Sequence, residues 1–226
     1  MADFFLKSGR KPLKTILIIA GVVLALVLGI FVISNNYTAA EMYQKGKEYY
    51  DNEQYDEAVP WFRKAAEQGY AEAQYMLCEC YEYTLNKPDA LYWYRKAAGK
   101  GYAPAQYYLG RCYDNGNDVT QDLTQAVAWY RKAAEQGYAA AQCILGYCYY
   151  YGRGVTEDWN QAVAWYRKAA EQGHAGAQYY LGVCYNNGLG VTQNKSEALY
   201  WYRKAAAQDH SGAKDSVREL ESEGVR

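Results

Sequence analysis

Apolar residues recur at helical spacing along most of the chain. In the stretch 175–210 they form two stripes, each on one helix face: Ala177, Leu181, Cys184 and Tyr185, then Ala198, Trp201, Tyr202 and Ala205. A spacing of three and four residues predicts two amphipathic α-helices whose stripes pack against each other. The pattern therefore predicts a helix pair, here named helix A and helix B, joined by a turn.

The helix pair repeats along the chain at a fixed period. Units of 36 residues fill 103–138, 139–174 and 175–210, a 32-residue version fills 71–102, and 39–70 shares the helix-B ending after a more divergent first half. A period of this size is typical of stacked repeat arrays. The predicted fold class is all-α, a solenoid of about five helix–turn–helix repeats.

Capping residues predict where the helices begin and end. In the unit 139–174, helix A is expected over 139–151, and helix B is expected to start at Asp158 and end at Gly173. Gln161 stands three residues after Asp158, as in a capping box. The same pairing recurs at Asp122/Gln125 and Asn194/Glu197, and in weaker form at Asn86/Asp89 and Gln54/Glu57.

Two further features concern the ends of the array. Pro60 lies inside the first helix B, where it removes a backbone hydrogen bond and predicts a kink. The last segment, 211–226, carries one thin apolar stripe of Ala213, Val217 and Leu220. That stripe predicts a polar-backed helix that caps the stack.

An apolar stretch precedes the repeats. Residues 15–34 contain no charge, and 20 residues of α-helix span about 30 Å, the thickness of a bilayer core. We therefore expect a transmembrane anchor at 15–34, a cytoplasmic N-terminus at 1–14 and a short linker at 35–38. A cleaved signal peptide is the competing interpretation, although its apolar core would be shorter.

Charges around the apolar stretch predict its orientation. Four basic residues precede it against the single Asp3, and the first charge after it is Glu41. The positive-inside rule then places the repeats on the outer side of the membrane. Within the stretch, Gly21, Ala25 and Gly29 share one helix face, a spacing that favours a homodimer.

Overall composition excludes some functions. The chain has 24 basic and 25 acidic residues among 226, so it has no cationic surplus for a phosphate backbone, and nucleic-acid binding is not expected. Four of the six cysteines (Cys80, Cys112, Cys148 and Cys184) share one repeat register. Because equivalent helices lie about 8–10 Å apart, beyond disulfide reach, we interpret this cysteine as a small buried apolar residue.

The repeats resemble a known family. The elements AQYYLGVCYNNGLGVTQN and EALYWYRKAA resemble the Sel-one-like repeat family, and 39–70 is closer to the plain tetratricopeptide pattern. The resemblance implies a right-handed α-solenoid that acts as a scaffold for protein complexes, often at membranes or in the bacterial envelope. We therefore expect the bacterial inner membrane, with the repeats in the periplasm or at the cell surface. The paired cysteines of the penicillin-binding branch are missing here, so that activity does not carry over.

The second face of each helix A is the candidate partner-binding surface, because this face lines the inner groove of the tetratricopeptide-like stacks that these repeats resemble. It carries Tyr179, Val183 and Asn186 in the last full repeat and, by register, Tyr43, Lys47, Tyr50, Tyr75, Glu79, Glu82, Tyr107, Arg111, Asp114, Cys143, Tyr147 and Tyr150. Tyrosine, present 27 times, supplies contact area at low entropic cost. These rings either bind an extended partner or fill space between adjacent A helices.

No catalytic, cofactor or metal site stands out. Ser211 and Lys214 match the S-x-x-K motif of serine acyl-transferases, but the partner motifs are absent. The ArgLys pairs on helix B are interpreted as a solvated outer stripe, and the tryptophans before them as buried. His174 and His210 replace tyrosine at repeat junctions and need no ligand.

The predicted function is a membrane-anchored, non-enzymatic scaffold that binds a protein segment in its groove. A cell-envelope glycan-binding module is the alternative, and a degenerate hydrolase that depends on Ser211 is the third possibility.

Overall fold

The computed structural model describes residues 37–83 and 90–226, apart from the side chain of Glu82. The predicted anchor at 15–34, the small residues Gly21, Ala25 and Gly29, and the predicted cap at Asn86 lie outside the described residues. Within the described parts of the chain, none of the helices is long and apolar enough to cross a membrane.

The described residues form an all-helical solenoid without strands. Its helices in chain order are α1 (Ala39–Asp51), α2 (Tyr55–Glu67), α3 (Ala71–Tyr83), α4 (Ala90–Gly99), α5 (Ala103–Asn115), α6 (Leu123–Glu135), α7 (Ala139–Tyr151), α8 (Trp159–Glu171), α9 (Ala175–Asn187), α10 (Lys195–Ala206) and α11 (Ser211–Ser222). Each helix packs against the one before and the one after it. The odd-numbered helices are the A helices and the even-numbered ones from α2 to α10 are the B helices, as the periodicity predicts.

The predicted ends of the helices are mostly confirmed. Asp122 and Asp158 accept hydrogen bonds from the backbone N–H of Gln125 and Gln161 at 3.0 and 3.1 Å. Gly173 takes the left-handed conformation after α8, with φ +92°. The cap predicted at Gln54 is wrong. Its backbone, at φ −90° and ψ 67°, lacks the extended conformation seen at Asp122, and its side chain caps no N–H.

The first and last helices also have defined starts and packing. Thr38 and Glu41 form a complete capping box at α1. The helix α2 continues through Pro60 from Tyr55 to Glu67. The helix α11 buries Ala213 and Leu220, and Leu220 packs against Leu199 and Tyr202 of α10.

A glycine-to-ring contact sets how closely helices A and B approach. A Cβ atom built on Gly182 would lie 2.7 Å from the ring of Tyr202, closer than real Cβ atoms come. The same contact joins Gly46 to Phe62, Gly110 to Tyr130 and Gly146 to Tyr166. Only glycine lets the two helices approach to this distance, so this pair of residues fixes the helix pairing in four repeats.

Buried glutamines tie each A helix to the preceding B helix. The Nε2 atoms of Gln74, Gln106, Gln142 and Gln178 donate to the carbonyls of Ala66, Ala98, Ala134 and Ala170 at 3.0, 3.2, 3.0 and 3.1 Å. In three repeats the glutamine Oε1 also accepts a hydrogen bond, from Gln136, Gln172 or Gln208. Gln74 Oε1 is buried without a partner, because Lys100 occupies the register of those three glutamines.

Replacing Lys100 by Gln should supply the hydrogen-bond donor that Gln74 Oε1 lacks. We expect Lys100→Gln to raise the free energy of unfolding by about 0.5–1.5 kcal/mol, since its amide can donate to Gln74 Oε1. Urea denaturation of the full chain measures the change. Lys100→Met is the matched control, because it removes the same charge without adding a donor. An equal gain in both variants would contradict the account.

Candidate partner-binding face

The candidate face consists of three rows of A-helix residues, one residue from each repeat. The tyrosine row is Tyr43, Tyr75, Tyr107, Cys143 and Tyr179; the variable row is Lys47, Glu79, Arg111, Tyr147 and Val183; the third row is Tyr50, Glu82, Asp114, Tyr150 and Asn186. Arg111 is exposed and the other residues with described side chains are half-buried. Each row therefore offers part of its surface to solvent and the rest to neighbouring helices.

Residues of the tyrosine row pack between two other rings. The centroid of the Tyr107 ring lies 5.8 Å from that of Tyr130 on helix B and 5.5 Å from that of Tyr138 at the repeat junction. The other tyrosines of the row make the corresponding contacts: Tyr43 with Phe62 and Tyr70, Tyr75 with Tyr94 and Tyr102, and Tyr179 with Tyr202 and His210. The buried half of each ring thus fills space between helices.

In the fourth repeat the tyrosine row is interrupted by Cys143. Burial raises the pKa of its thiol to about 12, so the thiol stays protonated at neutral pH. Nearby, the hydroxyl of Tyr166 is buried without a hydrogen-bond partner, and its ring stacks on Tyr180 with centroids 5.3 Å apart. Burial also raises the pKa of Tyr166. This part of the face is neutral and apolar.

The variable row differs in charge and size at every repeat. Lys47 donates to both carboxylate oxygens of Asp51 at 2.9 Å. The guanidinium of Arg111 lies 5.4 Å from the ring centroid of Tyr108 and 6.0 Å from that of Tyr107. The next two repeats carry Tyr147 and Val183. Along the stack, the row therefore changes from mixed charge to uncharged.

Some residues of the third row make contacts between neighbouring repeats. Asp114 accepts hydrogen bonds from the Tyr130 hydroxyl at 3.2 Å and from Arg153 of the next repeat at 2.8 and 3.1 Å. Tyr150 packs near Tyr180 of the next A helix, with ring centroids 6.3 Å apart. The side chain of Glu82 lies outside the described part of the chain. This row consequently stabilises the stack as well as bordering the candidate face.

A cavity that the sequence did not reveal opens between the second and third repeats. Its volume is about 360 Å³, and its lining combines Glu79, Arg111 and Asp118 with the tyrosines Tyr83, Tyr94 and Tyr108. Two members of the variable row therefore contribute to it. The sequence feature that could have pointed to this cavity is that Cys78 and Asp118 stand where other repeats have glycine.

Comparisons with known proteins agree with the repeat pattern. The tetratricopeptide repeat profile matches residues 43–104, and the Sel1 repeat profile matches 103–138, 139–174 and 175–210. A Sel1 repeat protein from Oxalobacter formigenes, of known crystal structure, is 34% identical, with a TM-score of 0.72 over 78% of this chain and 75% of that one. The chain belongs to the Sel1 repeat family.

Other solved structures share the fold. A protective antigen present in uropathogenic Escherichia coli strains, which displays an SLR fold, is 36% identical with a TM-score of 0.78 over 87% of this chain. This chain spans only 44% of that antigen's length. A Sel1 repeat protein from Klebsiella pneumoniae is 22% identical over 81% of this chain and 93% of that one, with a TM-score of 0.53, and shows the fold alone. No curated protein matches the sequence.

The ArgLys pairs on the outer face of this Sel1 repeat protein are exposed, apart from the half-buried Arg131, as the sequence suggested, but they also make contacts with their neighbours. On the B helices each lysine lies over the indole of the half-buried tryptophan three residues before it, with Lys132 3.9 Å from the ring centroid of Trp129 and Lys168 4.1 Å from that of Trp165. The neighbouring arginine reaches the next repeat, as where Arg131 donates to the Tyr149 hydroxyl at 2.8 Å. Both members of the ArgLys pair thus make structural contacts.

The remaining candidates for chemistry occupy ordinary structural positions. Lys214 donates to Asp209 at 2.7 Å, and Ser211 is the exposed first residue of α11. Cys80, Cys148 and Cys184 are buried free thiols, as expected for small apolar residues, whereas Cys112 is half-buried and borders the cavity. No cluster of three potential metal ligands occurs among the described residues.

His174 caps α9 and should make stability depend on pH. Its Nδ1 accepts a hydrogen bond from Ala177 N at 3.2 Å, which requires a neutral imidazole, and burial lowers its pKa below the usual 6.5. As the pH falls below about 6.5, the unfolded chain takes up a proton before the folded one does, so stability is lost.

The matched variant is His174→Tyr, because Tyr138 occupies this junction in the preceding repeat without a side-chain cap. We expect thermal denaturation at pH 7.5 and 5.5 to show a smaller loss of Tm for His174→Tyr than for the wild type. At pH 7.5 the variant should be less stable by about 1 kcal/mol, the usual contribution of a cap. Equal pH dependence in both proteins would count against this role of His174.

Proposed function

We propose that this Sel1 repeat protein is a non-catalytic, membrane-anchored scaffold that holds a segment of another protein along its A-helix face. The proposal is based on a contrast: the residues of the variable row differ between repeats, whereas the contacts beneath them recur. The glycine-to-ring contact and the buried glutamines recur from repeat to repeat, while the variable row reads Lys47, Glu79, Arg111, Tyr147 and Val183. A constant core with a changing surface suits recognition of one extended partner.

Aromatic residues at the edge of the face support a protein ligand. Tyr83 and Tyr151 are 62% and 55% exposed at the ends of α3 and α7. Tyr151 is backed by the rings of Tyr147 and Tyr150, with centroids 4.6 and 4.7 Å away. Rigid, partly exposed tyrosines of this kind are enriched in protein interfaces.

A glycan-binding role has less support. Sugar-binding sites stack open aromatic faces on their ligand, but five of the six tryptophans are half-buried on the B helices, each with a lysine over its ring. Trp159, at the start of α8, is 40% exposed and is the exception. The outer face therefore does not supply a row of open indoles.

The membrane anchor at 15–34, with the repeats on the outer side, is part of the proposal and rests on the sequence. Close approach of two copies through Gly21, Ala25 and Gly29 belongs to the same expectation. Alkaline extraction of membranes tests the anchor. The full chain should stay in the membrane fraction, and a chain without residues 15–34 should be released.

Site-specific photo-crosslinking in native membranes tests the binding face. A photoreactive phenylalanine analogue would replace Tyr83 or Tyr151 on the A helices, or Tyr92 or Tyr200 on the B helices as matched controls of 46% and 49% exposure. All four exchanges keep an aromatic ring at an exposed position, so folding should be preserved. We expect a discrete protein adduct from Tyr83 and Tyr151 that Tyr92 and Tyr200 do not give. Adducts from the B helices alone, or from none of the four positions, would contradict the proposal.

A further inference from the structure

A connected group of tyrosine rings lies on the A-helix face of the fourth and fifth repeats. The half-buried rings of Tyr147 and Tyr150 on α7 pack near Tyr180 of α9, with centroids 6.1 and 6.3 Å away. The exposed ring of Tyr151 lies 4.6 and 4.7 Å from the two α7 rings. Tyr166 of α8 stacks on Tyr180 at 5.3 Å. We name these five residues the tyrosine cluster, which spans two repeats.

The hydroxyl of Tyr166 lacks the acceptor that its counterpart in the third repeat has. There the Tyr130 hydroxyl donates to Asp114 at 3.2 Å. At the register of Asp114, the fourth repeat has Tyr150. The Tyr166 hydroxyl is consequently buried without a hydrogen-bond partner among the described residues. Because a buried hydroxyl without a partner costs free energy, an acceptor supplied by a ligand would be favourable here.

The tyrosine cluster is also neutral. It lies within 139–210, which the structure describes throughout. Arg153, in the turn after α7, already donates to Asp114 at 2.8 and 3.1 Å, and the fifth repeat has Leu189 at its register. A charged group buried against neutral rings would lose its hydration without gaining an opposite charge. The segment that fits this surface is therefore uncharged and rich in acceptors.

A polyproline II helix meets both requirements. It makes no internal hydrogen bonds, so its carbonyl oxygens are free to accept from tyrosine hydroxyls. Proline has no N–H that would be left without an acceptor against the rings. The spacing also agrees, since one turn of three residues rises about 9 Å and packed helices lie about 8–10 Å apart. Prolines three residues apart can therefore meet successive repeats.

We propose that the tyrosine cluster binds a proline-rich segment of the partner in the polyproline II conformation. Proline rings pack on the accessible parts of Tyr147, Tyr151 and Tyr180, as in other aromatic-lined grooves. One backbone carbonyl accepts the hydrogen bond of Tyr166, and the ring of Tyr150 turns aside because it stands where the third repeat has its acceptor. The inference rests on the proposed scaffold function and specifies the chemistry of the segment that the scaffold holds.

Isothermal titration calorimetry of the detergent-solubilised full chain tests the site. The probe is capped hexaproline, which is about 19 Å long as a polyproline II helix and so spans two repeats. A capped Gly-Ser peptide of the same length is the flexible control, and a capped amphipathic helical peptide represents the other mode of binding in a groove. We expect saturable binding of hexaproline alone. No binding of hexaproline, or binding of either other peptide with equal affinity, would overturn the proposal.

The variant Tyr166→Phe removes the hydroxyl and keeps the ring. We expect its affinity for hexaproline to fall about two- to ten-fold, the contribution of one hydrogen bond. Its Tm should be unchanged or higher, because the hydroxyl has no partner in the free protein. Tyr130→Phe is the matched control, since it loses the bond to Asp114 and should lower Tm without changing the affinity. Unchanged affinity in Tyr166→Phe, or an equal loss in both variants, would contradict the assignment.

The crosslinking assay separates failure of this inference from failure of the scaffold. Excess hexaproline, added to native membranes that carry the photoreactive analogue at Tyr151, should abolish the partner adduct. If the adduct persists at full yield, the inference is wrong and the scaffold stands. If neither Tyr83 nor Tyr151 gives an adduct while hexaproline binds the purified chain, the scaffold is wrong and so is the assignment of the segment to a partner.

Discussion

The close contact between a glycine of helix A and a ring of helix B is the constraint on which the stack depends. In four repeats a methyl group on that glycine would lie 2.6–2.7 Å from the ring, so the two helices lock at one separation and one rotation. That rotation determines which A-helix residues enter the core and which remain half-buried. The buried glutamine, which bonds the preceding helix B, then sets the position of one repeat against the next. Together these contacts give the same helix arrangement in the repeats that carry both of them.

Residues that break this pattern of contacts are concentrated in the second repeat and at its junction with the third. Cys78 replaces the packing glycine, Lys100 replaces the glutamine that would satisfy Gln74, and Asp118 replaces a turn glycine in the next repeat. The change at Lys100 leaves Gln74 Oε1 buried without a hydrogen-bond partner, and Asp118 lines the cavity. Natural sequences keep such local conflicts mainly at functional sites, where binding offsets the lost stability. The charged members of the variable row, Glu79 and Arg111, meet in the same place.

Much of the fold could be predicted from periodicity and capping residues, because both act within a few residues of the chain. Helix α7 has the predicted bounds, and Asp158 caps α8 as expected. Contacts between helices were not predictable in the same way. The bond from Arg131 to Tyr149 and the position of Lys132 over Trp129 depend on helix separation, which the sequence period does not encode. The same limit applies to the candidate face: helical phase places Tyr107 on it, but only the neighbouring helices show that half of the ring is covered by Tyr130 and Tyr138.

In the proposed function, a constant core presents the variable row to a protein partner. The most direct measurement is co-purification from solubilised membranes of the full chain with the whole variable row (Lys47, Glu79, Arg111, Tyr147 and Val183) changed to Ala. Alanine favours helix and leaves the glycine-to-ring and glutamine contacts in place. We expect the variant to keep its helical content and cooperative unfolding but to lose the protein partner that the wild type carries. A folded variant that retains the same partner in the same yield would contradict it.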